Sequence, residues 1–149
     1  MSGRIKIFTI GFTQKSAQEF FARLQRPGIK RLVDVRLNNV SQLAGFTKKE
    51  DLSYFTKAIL GIDYVHLLEL APTKDILDSY RKKGRDWAEY ERQFADLLRE
   101  RKVESKVPRD VINGGCLLCS EPTPEQCHRR VVAEYLQSKW KDVEIEHIL

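Results

Sequence analysis

From Arg4 to Ile10 the chain alternates, with Lys6, Phe8 and Ile10 on one side and Ile5, Ile7 and Thr9 on the other. A period of two is that of a strand, and Gly11 closes it. The pattern then changes. Ser16-Ala17-Gln18-Glu19 has the spacing of a capping box, and Phe20, Phe21 and Leu24 supply the apolar side of a helix that Pro27-Gly28 stops. Lys30 to Arg36 predicts a second strand, whose apolar middle implies burial on both faces, as in a parallel sheet. Thr47-Lys48-Lys49-Glu50 repeats the capping spacing, followed by Leu52, Phe55, Ile59 and Leu60 on a helix ending at Gly61.

Asp63 to Leu67 predicts a third strand, and residues 75 to 82 a helix. Trp87, Tyr90, Phe94, Leu97 and Leu98 form the stripe of a longer helix reaching about Arg101. Lys102 to Gly114 shows no clear period and reads as an exposed connection, loosely held by Val103, Val107 and Val111. Gly115 to Cys119 is a short apolar strand, followed by a loop and a helix to about Trp140; Val143 to Leu149 alternates as a last, edge strand. Strands separated by helices imply right-handed crossovers. The expected fold is one three-layer α/β domain over residues 1–149, a Rossmann-like open sheet of about five mainly parallel strands.

Composition bounds what such a domain does. The 149 residues are 42% hydrophobic and 32% charged, which fits a globular chain. No apolar run is long enough to cross a bilayer, and the first residues lack the pattern of a signal peptide, so a cytoplasmic protein with no membrane partner is expected. Three cysteines are too few for a disulfide framework and read as reduced thiols. The net charge of +5 favours anionic partners, although acidic residues share the same segments. No Walker loop, dinucleotide glycine fingerprint, HExxH or GxSxG element occurs.

In an open parallel sheet, ligands bind beyond the carboxyl ends of the strands. Those ends offer Thr9, Gly11, Asp34, Arg36, His66, Glu69, Cys119 and Glu121, and the last helix adds Cys127, His128, Arg129 and Arg130. Cys116 and Cys119 are three apart on a strand and so point to opposite faces, which makes Cys116 a small buried hydrophobe. Thr123-Pro124-Glu125-Gln126 reads as an N-cap, an N1 proline and a capping-box glutamine, placing Cys127 and His128 near the first turn of a helix. There the dipole favours a thiolate or a bound anion. His128 shares its helical stripe with Val131, Val132, Tyr135 and Leu136 and therefore faces the sheet. It is a base candidate, or a buried histidine bonded to a carbonyl. Asp34 and Arg36 are site residues, or a structural ion pair.

These residues resemble a known family. Thr9-Ile10-Gly11, Leu32-Val33-Asp34-Val35-Arg36, Gly45-Phe46, Tyr64-Val65-His66-Leu67, Leu117-Leu118-Cys119-Ser120-Glu121 and Cys127-His128-Arg129-Arg130 are similar, in order, to the domain-of-unknown-function family 488, DUF488. The resemblance implies a small α/β fold with a polar site and no established reaction. Two departures are visible: Leu70-Ala71-Pro72 stands where relatives carry Gly-Gly, and Lys102 to Gly114 is longer than the usual connection.

The expected function is to bind or act on a phosphate-bearing ligand, a nucleotide or nucleic acid, with no cofactor. In the enzymatic reading, Cys119 or Cys127 supplies a thiolate, His128 or His66 acts as acid or base, and Asp34 is an orienter or a base. Thr9, Gly11, Arg36, Glu121, Arg129 and Arg130 hold the ligand. A non-catalytic binding module is the second reading. A zinc domain built on Cys119, Cys127 and His128, with His66 or a water as fourth ligand, is the third, although their spacing matches no standard zinc signature, so no metal is assigned.

Overall fold

The computed structural model describes residues 4–12, 15–37, 49–82, 84, 86–119 and 127–148. Its centre is a five-stranded sheet of β1 (Ile5–Gly11), β2 (Arg31–Asp34), β3 (Asp63–His66), β4 (Gly115–Cys119) and β5 (Val143–His147). The order is β3-β2-β4-β1-β5, and every pairing is parallel. The expected three-layer α/β architecture is what forms, with β5 at an edge.

The chain steps from β1 to β2 to β3 in one direction across the sheet, then turns back for β4 and β5. Right-handed crossovers therefore put the early and late helices on opposite faces. On one face, α1 (Ala17–Arg23) and α2 (Lys49–Phe55) bury Phe20, Phe21, Leu24 and Leu52 against Phe8, Ile10, Leu32, Cys116 and Leu118. The other is covered by α3 (Lys74–Lys82), α4 (Trp87–Arg101), α5 (Val103–Lys106), α6 (Arg109–Ile112) and α7 (His128–Lys139). There Tyr90, Phe94, Leu98, Val132 and Leu136 meet Ile7, Val33, Val35 and Leu117. The two sides of β1 are those its alternation predicts.

Ser16 caps α1 as its spacing requires: its hydroxyl accepts from Glu19 N at 3.1 Å, and the Glu19 carboxylate accepts from Ser16 N. The Thr47 capping signal lies outside the described residues. A π-turn over Thr56–Leu60 follows α2 and ends at Gly61, whose φ of 69° is the left-handed stop expected there. The wider turn rotates the predicted stripe, so Ile59 is 49% exposed while Thr56 is buried.

Lys102 to Gly114 is not the exposed connection that its irregular sequence suggests. It folds as α5 and α6, each only four residues, too short to show a period. Val103, Val107 and Ile112 enter the core, with Ile112 rather than Val111 as the last anchor. Arg31 Nη1 holds this region to β2 by donating to the carbonyls of Asp110, Val111 and Asn113 at 2.7–3.0 Å.

The entry to β4 is tight. A Cβ at Gly115 would lie 2.9 Å from Val33 Cγ2 and 3.0 and 3.1 Å from the carbonyl oxygens of Ile112 and Val111. Backbone oxygens cannot turn aside, so Gly115→Ala is expected to cost about 1–3 kcal/mol by overpacking. Chemical denaturation checks this; an unchanged midpoint would show that β4 and α6 separate easily.

Candidate functional site

The strand carboxyl ends form the rim that topology predicts, but alternation divides its side chains between the two faces. Asp34, Tyr64 and His66 face the α1–α2 side, because Asp34 pairs with Leu118 and His66 and Tyr64 with Leu32. Cys119 faces the α7 side. The candidate residues therefore make two clusters that meet at the end of β2.

Asp34 anchors the first cluster. Arg36 donates to its Oδ1 from N and Nε at 3.0 and 2.9 Å, and to Oδ2 from Nη2 at 2.8 Å; Tyr64 OH donates to Oδ2 at 2.5 Å. Both charged residues are buried. A carboxylate accepting four bonds has its lone pairs committed, so Asp34 orients and is not a free base. The Arg36 guanidinium also lies over the Phe12 ring, 5.4 Å from its centre. His66 Nε2 donates to the Arg36 carbonyl at 2.7 Å, which ties it to this cluster rather than to a cysteine. Tyr64 was given no role by the sequence reading, although it stands two residues before His66, on Asp34's face of the neighbouring strand.

His128 is the centre of the second cluster, at the first position of α7. Its Nε2 donates to the Val35 carbonyl at 2.8 Å, so Nδ1 must present its lone pair to Cys119 Sγ, 3.2 Å away. The ring also packs edge-on against Phe94, with centroids 5.6 Å apart. Burial pushes its pKa down to about 4, opposed by the Val35 bond and the Asp34 charge and reinforced by the charges of Arg129 and Arg36. At neutral pH it is therefore an acceptor and not an acid. Two imidazoles thus hold the consecutive carbonyls of Val35 and Arg36, one from each cluster.

Cys127 is the N-cap residue of α7, extended at φ −138° and ψ 138°, with no side-chain capping bond. The Thr123–Gln126 cap signals, Glu121 and the rest of that loop lie outside the described residues; the helix itself starts at His128. The cysteine count points to reduced thiols. Instead, the Cys119 and Cys127 sulfurs are joined as a disulfide, with Cα atoms 7.2 Å apart. Cys116 is free, buried on the opposite face, and its thiol pKa is raised by burial.

The first turn of α7 carries no acidic residue. Arg129 is 0% exposed, a large cation wholly inside the molecule. Its charge reaches Lys15 on the β1–α1 loop, whose ammonium pKa is lowered first by burial and then by Arg129. No sequence signal pointed to Lys15. Arg130 points elsewhere: it pairs with Glu91 at 2.5 Å and Glu134 at 2.9 Å, joining α7 to α4. Thr9 is buried and shares a 2.6 Å hydrogen bond with His147, while Gly11, paired with Cys119, brings the β1 backbone against the end of β4.

Among the described residues no helix is long and apolar enough to cross a membrane. The family model described as Domain of unknown function DUF488 matches residues 16–136, the greater part of the chain. No curated protein and no solved structure matches.

Proposed function

The chain belongs to the DUF488 family, whose description assigns no function, and we propose that it is a cytoplasmic protein binding a small phosphate-bearing ligand, such as a nucleotide, at the rim beside α7. The observation that carries this is the crowding of positive charge. Arg129 is fully buried at an acid-free helix N-terminus, close enough to Lys15 to help depress its pKa. An anion placed there gains the helix dipole, the backbone N–H groups and two cations.

A nucleic-acid backbone is the second candidate partner, and it would bind through a row of exposed cations. Part of the surface charge is paired, Arg4, Lys6 and Arg26 with Glu144 and Glu146, Arg92 and Arg99 with Glu89 and Asp96, and Lys57 with Asp63, whereas Lys30, Lys102, Lys106, Lys139 and Lys141 are exposed.

Calorimetric titration with inorganic phosphate and with nucleoside monophosphates tests the reading. Saturable 1:1 binding is expected, weakened about tenfold, or about 1.4 kcal/mol, by Lys15→Ala with the fold intact. Affinity should fall only gently with salt, whereas a backbone-driven contact falls with a steep logarithmic slope. Failure of both probes to bind at millimolar concentration would overturn it, as would tight, steeply salt-dependent binding of an oligonucleotide in their place.

A further inference from the structure

We propose that Cys119, Cys127 and His128 form a binding site for one zinc-class divalent ion. Their donor atoms lie within 4.8 Å of one another, and both cysteines are buried. Soft thiolates with an imidazole nitrogen are the donor set of zinc.

Two features of the backbone separate this from a simple cysteine pair. The first is spacing. Disulfides hold Cα atoms about 4.4–6.8 Å apart, and beyond about 7 Å a bridge requires backbone movement. Cys119 and Cys127 are at 7.2 Å. Two thiolates at about 2.3 Å on a tetrahedral ion stand about 3.7 Å apart, and that extra width between sulfurs suits the wider backbone. The second is the histidine tautomer. Metal-bound histidines commonly donate their other ring N–H to a carbonyl or carboxylate, which fixes the lone pair on the ligating nitrogen. His128 already does this: Nε2 is held by the Val35 carbonyl at 2.8 Å, and Nδ1 faces Cys119 Sγ at 3.2 Å.

The ligands come from the end of β4, the N-cap of α7 and its first residue, which explains why their sequence spacing matches no zinc-finger pattern. No fourth Cys, His, Asp or Glu joins them among the described residues. Two thiolates balance the ion's charge, so the site adds no net charge beside Arg129. This inference stands apart from phosphate binding, since neither observation involves Lys15 or Arg129.

The test is a cobalt titration of the reduced, metal-stripped full chain. One equivalent of Co2+ should give tetrahedral d–d bands and a thiolate-to-cobalt charge-transfer band, both abolished by one equivalent of Zn2+. Cys119→Ser and Cys127→Ser should each remove the charge-transfer intensity of one thiolate and weaken binding at least tenfold, whereas Cys116→Ser should change neither. Should a variant fail to fold, the wild-type chain still decides: zinc should slow alkylation of two of its three thiols. Absence of a cobalt spectrum from the reduced chain would overturn the site. So would equal thiol reactivity with and without zinc, or a Cys119–Cys127 disulfide that persists in excess reductant.

Discussion

Asp34→Ala is expected to destabilise the protein by about 3–5 kcal/mol, the range for removing one partner of a buried ion pair. The carboxylate is fully buried and accepts from Arg36 N, Nε and Nη2 and from Tyr64 OH. Alanine would leave the Arg36 guanidinium, 6% exposed, without its carboxylate in a low-dielectric site. Most of the loss is thus a penalty on what remains, not the value of the pair. The double variant Asp34→Ala/Arg36→Met separates the two: it should recover more than about 1 kcal/mol relative to Asp34→Ala, because the uncompensated charge is gone. Urea unfolding of the four cycle members measures this. A double variant as unstable as the sum of the singles would mean that Arg36 is neutralised by something other than Asp34.

The same pair shows what the sequence could and could not tell. Alternation put Asp34 and Arg36 on one face, and it separated Cys116 from Cys119, which lie in different clusters on opposite sides of the sheet. Side-chain direction on a strand is fixed by a period of two, so such readings survive folding. The grouping of all strand-end residues into one crevice did not. Topology says which end of the sheet carries a site, but the register of β2 with β3 and β4 decides which residues share a face. That register divides His66 from His128.

The segment from Lys102 to Gly114 failed for a different reason. Helices of four residues cannot display a 3.6-residue period, and their place is set by Val103, Val107 and Ile112 entering a core already built by α4 and α7. The grouping of Cys119, Cys127 and His128 was legible as a candidate ligand set, but the joining of the two sulfurs was not. It depends on where α7 starts relative to the end of β4, with Cys127 as N-cap and His128 as the first helical residue.

Phe94 ties the core to the site, and Phe94→Ala is expected to cost about 3–5 kcal/mol. The ring is fully buried beneath the sheet and joins a chain of aromatics, with Tyr90 at 6.2 Å between centroids and His128 at 5.6 Å. Its removal leaves a cavity bounded by β-sheet and by α7, and neither can collapse far without breaking ladder or helical hydrogen bonds. Loss of the edge-on contact also frees the imidazole whose Nε2 is bonded to Val35. Phe21→Ala is the control: Phe21 is nearly as buried, but it packs against Phe20 and Phe55 on the opposite face. Both variants should lose stability in denaturant titrations. Only Phe94→Ala should move the nitrogen resonances of the His128 ring from those of a fixed Nε2–H tautomer towards a tautomeric average. If Phe21→Ala shifts those resonances as far, His128 is positioned by the fold as a whole and not by the ring packed against it.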